Sequence, residues 1–176
     1  MTEITIRQAT EADAALIATI SRETFCDSFA ENNTAEDMQL FLDGPFSTPL
    51  LMAELSHPDC IFFLIYHKEE PAGYIKLKPG KHTELKGTDK AIEICRFYAR
   101  KHMIGKGIGK ALMQHAIAYA KEKKYTTIWL GVWEKNQRAI SFYNSFDFKK
   151  FSEHDFVLGR DVQRDWLMMR EVVSSE

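Results

Sequence analysis

Three glycines and two lysines share a short segment, 104–110, which reads Ile-Gly-Lys-Gly-Ile-Gly-Lys. An apolar stretch, 92–99, precedes it and an amphipathic stretch, 111–123, follows it. This order predicts a strand, a glycine-rich turn and a helix. Glycine lets the backbone approach an anion closely, and the free N–H groups and dipole of the first helical turn favour negative charge. The segment therefore predicts a cradle for phosphate groups.

Three glycine-rich loops bind phosphates and differ in their spacing. The dinucleotide loop G-x-G-x-x-G fails because its third glycine position holds Lys110. The triphosphate loop G-x-x-x-x-G-K-[ST] fails at Ile104 and Ala111. The third pattern, Q/R-x-x-G-x-G/A, matches at Gly107 and Gly109, although Ile104 stands where Gln or Arg is usual. In this pattern the loop resembles that of the GNAT superfamily of N-acetyltransferases, which hold the pyrophosphate of acetyl-coenzyme A (acetyl-CoA). If only the loop is considered, the alternative of a glycine-rich turn that binds no ligand stays open.

A second signature lies about thirty residues downstream. The segment 136–143, with Phe148 after it, resembles the GNAT pattern N-x-x-A-x-x-F/L-Y followed by G-F. Asp147 replaces the usual glycine, which we interpret as a tolerated change because Asp adopts a left-handed backbone more readily than most residues. Residues 4–13 resemble the opening strand and first helix start of the same superfamily, so the resemblance covers nearly the whole chain.

The resemblance implies a set of contacts to the cofactor. By this resemblance, the main chain of 97–99 pairs with the pantetheine arm of acetyl-CoA in the way that it would pair with an added strand. The predicted cofactor contacts are Phe97, Tyr98, Ala99, Gly105, Lys106, Gly107, Ile108, Gly109, Lys110, Asn136 and Tyr143. Asn136 can also cap the following helix. Tyr143 is the expected general acid toward the leaving thiolate, and a tyrosine packed in the core is the alternative.

Glu93 is the candidate general base. The two-residue period of a strand predicts that it lies on the same side as Cys95 and Phe97. Some members of the superfamily use a glutamate at this offset before the glycine loop, acting through water. A base is needed because a protonated amine, with a pKa of about 10, is a poor nucleophile at neutral pH. The alternative is an exposed carboxylate that only attracts the amine.

A closer resemblance concerns the acceptor. Segments 23–29, 129–136 and 158–165 resemble the PaiA-type spermidine/spermine N-acetyltransferases, which implies acetylation of a polyamine. The predicted acceptor contacts are Phe25, Asp27, Phe29 and Trp133, although most aromatic residues at such spacing belong to the core. Residues 11–43 hold eight acidic residues against one arginine, in a chain of net charge −2. Such a segment attracts cations, or forms a solvated helix face. A protein, peptide or aminoglycoside amine is the alternative acceptor, and a CoA-binding regulatory module without turnover is the alternative function.

The chain as a whole fits one domain, 1–176, of mixed α/β (α+β) class, with a central, mostly antiparallel sheet flanked by helices. The predicted strands are 3–8, 61–68, 73–78, 91–99, 126–133, 155–158 and 165–171, and the predicted helices are 11–30, 34–42, 49–56, 107–123 and 136–146.

Composition narrows the remaining expectations. Three widely spaced cysteines without a C-x-x-C pair indicate reduced thiols, and the histidine spacing predicts no metal site. The net charge of −2 argues against nucleic-acid binding, and we expect no membrane segment and a cytoplasmic location. The expected partner is a small-molecule amine, with a homodimer left open.

Overall fold

The computed structural model describes residues 3–29, 34–36, 39, 47–85, 87, 90–158 and 160–172, with the backbone alone at positions 28, 29, 156 and 158. The strands of this part are β1 (Ile4–Gln8), β2 (Ile61–His67), β3 (Glu70–Pro79), β4 (Ala91–Ala99), β5 (Thr127–Trp133), β6 (Lys149–Leu158) and β7 (Asp161–Glu171). They form one sheet in the order β1-β2-β3-β4-β5-β7-β6. β4 pairs with β5 in parallel, and the other five pairings are antiparallel. The predicted mixed, mostly antiparallel sheet is confirmed.

Helices cover both faces of this sheet. The described helices are α1 (Ala14–Phe29), α2 (Thr48–Ser56), α3 (Ile108–Glu122) and α4 (Gln137–Ser145), with short 3-10 turns at Glu11–Asp13 and Lys101–Met103. Buried side chains of α3 and α4, such as Leu112 and Ile140, pack with Ile75, Ile94 and Leu130 of the sheet. We call this side the α3/α4 face. Residues of α1 and α2 pack on the opposite side, which we call the α1/α2 face.

A β-bulge interrupts the alternation of side chains along β4. Leu77 of β3 lies opposite Ile94, and the next residue back, Lys76, lies opposite Arg96. Cys95 is therefore an extra residue without a partner position on β3. A bulge of this kind shifts the alternation by one, so the side chains before and after Cys95 follow different parities.

β4 and β5 pair at one end and part at the other. Their pairing runs from Ala91↔Thr127 to Ile94↔Leu130, while β4 continues to Ala99 and β5 to Trp133. Beyond this point β4 stays bonded to β3 and β5 to β7. The backbone edge of β4 that faces β5 is thereby left for another extended partner over the last residues of the strand, as strand addition requires.

The predicted elements agree with the structure in type and order. β3, β6 and β7 are longer than predicted. Their polar ends pair in antiparallel ladders, and the hydrophobic periodicity used for the prediction does not detect polar strand ends. The predicted helix 34–42 lies largely outside the described residues. Across the residues that the structure does describe, every helix falls short of the length and apolar character that crossing a membrane requires.

Candidate active site

A cavity of about 390 Å³ lies on the α3/α4 face, between the end of β4, the glycine-rich turn and the start of α4. Nine of the eleven predicted cofactor contacts line it: Phe97, Ala99, Gly105, Gly107, Ile108, Gly109, Lys110, Asn136 and Tyr143. Met103, Ile104, Arg138, Ala139 and Phe142 complete the lining. Residues from a strand, a turn and two helices thus meet in one space, as the sequence predicts for an elongated ligand with phosphate groups.

The turn at Gly107 begins α3. Gly107 has φ 81°, in the left-handed region that glycine adopts without strain, and is the N-cap of the helix. Its carbonyl oxygen accepts a hydrogen bond from the Ala111 N–H at 3.0 Å. A glycine N-cap has no side chain to satisfy the N–H groups of the first turn, so an anion in the cavity can take that place. Lys110, also in the lining, adds positive charge.

α4 brings Asn136 and Tyr143 to the same cavity. The Asn136 side chain caps the helix by accepting a hydrogen bond from the Ala139 N–H at 3.2 Å, which confirms the capping role. One face of α4 then carries Phe142 and Tyr143 toward β4, where their ring centroids lie 5.6 and 6.1 Å from that of Phe97. These aromatic contacts fix the Tyr143 ring beside the open edge of β4.

Burial determines the protonation state of Tyr143. Its side chain is 8% exposed, and burial raises its pKa above the usual value of a phenol, so the hydroxyl stays protonated at neutral pH. Burial also raises the pKa of the thiol of Cys95, in β4, to about 12. Cys95 itself stays a thiol and is no nucleophile.

A second cavity, of about 230 Å³, adjoins the first. Thr24, Asp27, Tyr98 and Lys101 line it, together with four residues that line both cavities: Phe97, Ala99, Ile104 and Arg138. Two predicted residues, Asp27 and Tyr98, are therefore at the site, on the side of α1. The carboxylate of Asp27 is the acidic group of this lining.

The other predicted acceptor residues do not line these cavities. Phe25 is 2% exposed and lies in the interior, outside the lining of either cavity, so its contact with an acceptor stays a prediction. α1 turns this ring inward because a helix presents residues two apart to different sides. Trp133 is also buried, and its Nε1–H donates to Oε1 of Gln163 at 2.9 Å on the α1/α2 face. The side chain of Phe29 lies outside the described part of the structure.

The predicted side of Glu93 is wrong with respect to Phe97. Glu93 lies opposite Lys78 and faces the α1/α2 side, whereas Phe97 lies opposite Ile75 and faces the α3/α4 side. The bulge at Cys95 shifts the alternation between them, which the simple two-residue period does not include. Burial raises the pKa of the Glu93 carboxyl group, which also interacts with the Cys95 thiol, as predicted.

Arg138 is a site residue that the sequence reasoning missed. It lies in the first turn of α4, is exposed and lines both cavities beside Ile104. Ile104 stands where the resembled loop has Gln or Arg, so Arg138 brings a cation to a place where the loop lacks one. The signal for Arg138 in the sequence was its position two residues after Asn136, a predicted cofactor contact. Lys106, predicted as a contact, is exposed and outside the lining of either cavity.

Comparisons with known proteins agree with this geometry. The chain matches the model of the acetyltransferase (GNAT) family over residues 21–148. A protein of Lactobacillus delbrueckii subsp. lactis, described as an uncharacterized N-acetyltransferase, is 38% identical over 173 residues, which are 98% of this chain and 100% of that protein. A probable spermine N(1)-acetyltransferase of Bacillus subtilis subsp. natto is 39% identical over 62 residues, which are 35% of this chain and 41% of that protein.

A solved structure shares the fold over nearly its full length. The crystal structure of the PaiA N-acetyltransferase from Thermoplasma acidophilum, in complex with coenzyme A, has a TM-score of 0.76 and 23% sequence identity and covers 96% of this chain and 98% of its own. The expected GNAT fold is thus confirmed. Because the family model spans most of the chain and a relative with 38% identity spans nearly all of it, the chain belongs to the acetyltransferase (GNAT) family and is an N-acetyltransferase enzyme.

Proposed function

We propose that the enzyme transfers the acetyl group of acetyl-CoA to a primary amine of a polyamine such as spermidine or spermine. The observation that carries the acetyl-transfer part is the parting of β4 and β5 directly beside the glycine-rich start of α3. A ligand with its diphosphate at Gly107 and its arm along β4 has its far end at the place where the two strands part.

Different residues of the first cavity bind different parts of this donor. The N–H groups of Ile108, Gly109 and Lys110, at the start of α3, face the diphosphate position, and the main chain at Phe97 and Ala99 offers an extended edge to the arm. The fit rests on the elongated lining and on the first-turn N–H groups that Gly107 leaves uncapped.

Tyr143 is the proposed general acid. The buried phenol lies beside Phe97 and gives its proton to the sulfur as the C–S bond breaks. Glu93 is proposed to act on the other side of the sheet, at the acceptor amine, either as proton acceptor through water or by attracting the ammonium. Burial raises the pKa of its carboxyl group, which is the direction that favours a proton acceptor.

Negative charge supports a polyamine as acceptor. Asp27 of α1 lines the second cavity and belongs to the acidic segment 11–43. Several acidic residues of this segment form ion pairs within the described part of the structure, for example Asp13 with Arg7 at 2.7 Å. The electrostatic attraction on a cationic acceptor therefore comes from the acidic residues that are not paired. The probable spermine N(1)-acetyltransferase that is 39% identical over 35% of this chain adds support from a similar protein.

A panel of amines tests this proposal. We expect spermidine to give the highest kcat/KM, measured as release of free CoA thiol, and added salt to lower it because screening weakens the attraction of a polycation. Benzylamine, a monoamine, is the matched control and should show a lower kcat/KM with a weaker salt dependence. A peptide or aminoglycoside that is turned over faster than spermidine would overturn the polyamine assignment. CoA binding with no thiol release for any amine would contradict acetyl transfer itself.

Arg138→Gln should weaken CoA binding by about fivefold, since an exposed ion pair is worth up to about 1 kcal/mol. Titration calorimetry with CoA measures the change. Lys135→Gln removes one charge from the preceding turn, outside both cavities, and should leave the affinity within a factor of about two. Pantetheine, which lacks the phosphates, should bind wild type and Arg138→Gln alike. An equal loss of pantetheine affinity would show that Arg138 does not act on phosphate.

A further inference from the structure

The α1/α2 face carries a carboxylate–imidazole pair at the place where β4 and β5 part. Gly131 is the first residue of β5 beyond the parallel pairing. A side-chain carbon on Gly131 would lie 3.5 Å from Oδ2 of Asp165 and 4.0 Å from Nε2 of His154. Asp165 of β7 and His154 of β6 face each other across the hairpin, with Nε2 and Oδ2 3.7 Å apart. The same carbon would lie 3.6 Å from Cδ2 of Leu167, so all three atoms are at ordinary contact distance, and the exposed Gly131 lies directly beneath this pair.

The two members of the pair differ in exposure. The Asp165 side chain is 17% exposed, while that of His154 is 49% exposed. Burial raises the pKa of Asp165, and His154 acts in the opposite direction. A carboxylate poised in this way is a stronger base than one in water, and the half-exposed imidazole connects it with solvent.

The donor and the pair meet from opposite faces. The donor cavity lies on the α3/α4 face, and an arm that runs from Gly107 back along β4 ends where the strands part. Gly131 lies at that point, with Asp165 and His154 on the other face. An amine that reached the thioester from the α1/α2 face at Gly131 would come within reach of the carboxylate of Asp165.

We propose that Asp165 is the group that takes the proton from the acceptor ammonium, and that His154 positions it and connects it with solvent. This inference rests on acetyl transfer to an amine and does not depend on which amine it is. The ammonium gives one proton to Oδ2 of Asp165. The neutral nitrogen then bonds to the thioester carbon, the C–S bond breaks and its electron pair leaves with sulfur. The nitrogen then loses its second proton to solvent, while Tyr143 gives its proton to the departing sulfur and regains one from solvent. Each turnover therefore releases one net proton, the one that Asp165 took and passes to solvent.

Glu93 lies in different surroundings. It belongs to the paired part of β4, opposite Trp129 of β5, and Lys76, Lys78 and His82 act on its charge. Around the Asp165–His154 pair, the ring centroid of His82 lies 6.3 Å from that of His154, and Glu84 accepts a hydrogen bond from Ser152 of β6. His82 also acts on the charge of Glu93. These assignments make Glu93 an attractor of the ammonium and Asp165 its base.

The test compares pH–rate profiles of kcat/KM for the amine that the wild type turns over best. We expect Asp165→Asn to lower kcat/KM by about 100-fold and to remove the acidic limb, because that limb reports the base of the free enzyme. Glu93→Gln should keep the limb. His154→Gln should move it to higher pH, since His154 lowers the pKa of Asp165. The deprotonation of the amine is common to all profiles and cancels between variants.

Controls separate this inference from folding and from the acceptor proposal. Asp155→Asn makes the same change at an exposed position of the same hairpin and should act like wild type. CoA affinity, measured by calorimetry, should be unchanged in Asp165→Asn, which shows that the variant is folded. Activity on a peptide but not on spermidine contradicts the polyamine proposal alone, and the profiles are then recorded with the peptide. An Asp165→Asn enzyme that keeps its acidic limb and loses less than about twofold in kcat/KM overturns the inference, as does loss of the limb in Glu93→Gln alone.

Discussion

Tyr143→Phe should lower kcat by about 100-fold while the affinity for CoA stays the same, because removal of a general acid costs about 10²- to 10⁴-fold and leaves the ring in place. The ring packs against Phe97, Phe142 and Phe148, and phenylalanine keeps these contacts. The hydroxyl is the one group that the substitution removes. Steady-state kinetics with saturating acetyl-CoA and calorimetry with CoA measure the two quantities.

Tyr119→Phe is the matched control for this substitution. Tyr119 lies on α3, packs against Phe63 with ring centroids 5.5 Å apart and is outside both cavities. It loses a hydroxyl from a partly buried ring in the same way, and kcat should stay at the wild-type value. A Tyr143→Phe enzyme with kcat within a factor of about two of wild type would exclude the general-acid role, and a lowered CoA affinity would indicate a packing role instead.

Local patterns predicted the donor side of this enzyme well. Gly107, Asn136 and Tyr143 meet in one cavity because a turn and two helix starts bring them there, and each of these features has a sequence signature of its own. The spacing of Asn136 and Tyr143, two helical turns, sets their common side without any knowledge of the tertiary structure.

The acceptor side was predicted less well because it depends on long-range pairing. The bulge at Cys95 reverses the alternation between Glu93 and Phe97, and only the register of β3 against β4 reveals it. The meeting of His154 with Asp165 above Gly131 likewise requires the order β5-β7-β6 in the sheet. A pattern read along one strand contains neither piece of information.

Under the proposed function, the bulge would let β4 contact two substrates. In β4, the side chain of Glu93, before Cys95, faces the α1/α2 side. The side chain of Phe97, after Cys95, faces the cavity on the α3/α4 side. Between them the strand leaves β5, so its edge is open to the donor. The change of parity and the parting of the strands occur within a few residues. In the proposed reaction this would place the acceptor and the donor on opposite sides of the same opening.

Gly107→Val should reduce CoA affinity by about 10- to 100-fold, because a charge-assisted hydrogen bond from a first-turn N–H is worth about 1.5–3 kcal/mol. Gly107 has φ 81°, where a β-branched residue is strained by more than the usual cost of about 1–2 kcal/mol for a left-handed L-residue. Relief of this strain moves the turn and re-aims the N–H groups of the first turn of α3. Calorimetry with CoA measures the affinity, and thermal unfolding measures the loss of stability.

Gly87→Val separates the strain from the binding effect. Gly87 also has φ 81°, and an added side-chain carbon there meets nothing within 4 Å in the described structure, so this variant has the same backbone strain far from the cavity. Both variants should lose a similar free energy of unfolding, but only Gly107→Val should lose CoA affinity. Equal affinities in the two variants would mean that the start of α3 does not hold the diphosphate, and the placement of the donor along β4, on which the roles of Tyr143 and Asp165 depend, would be wrong.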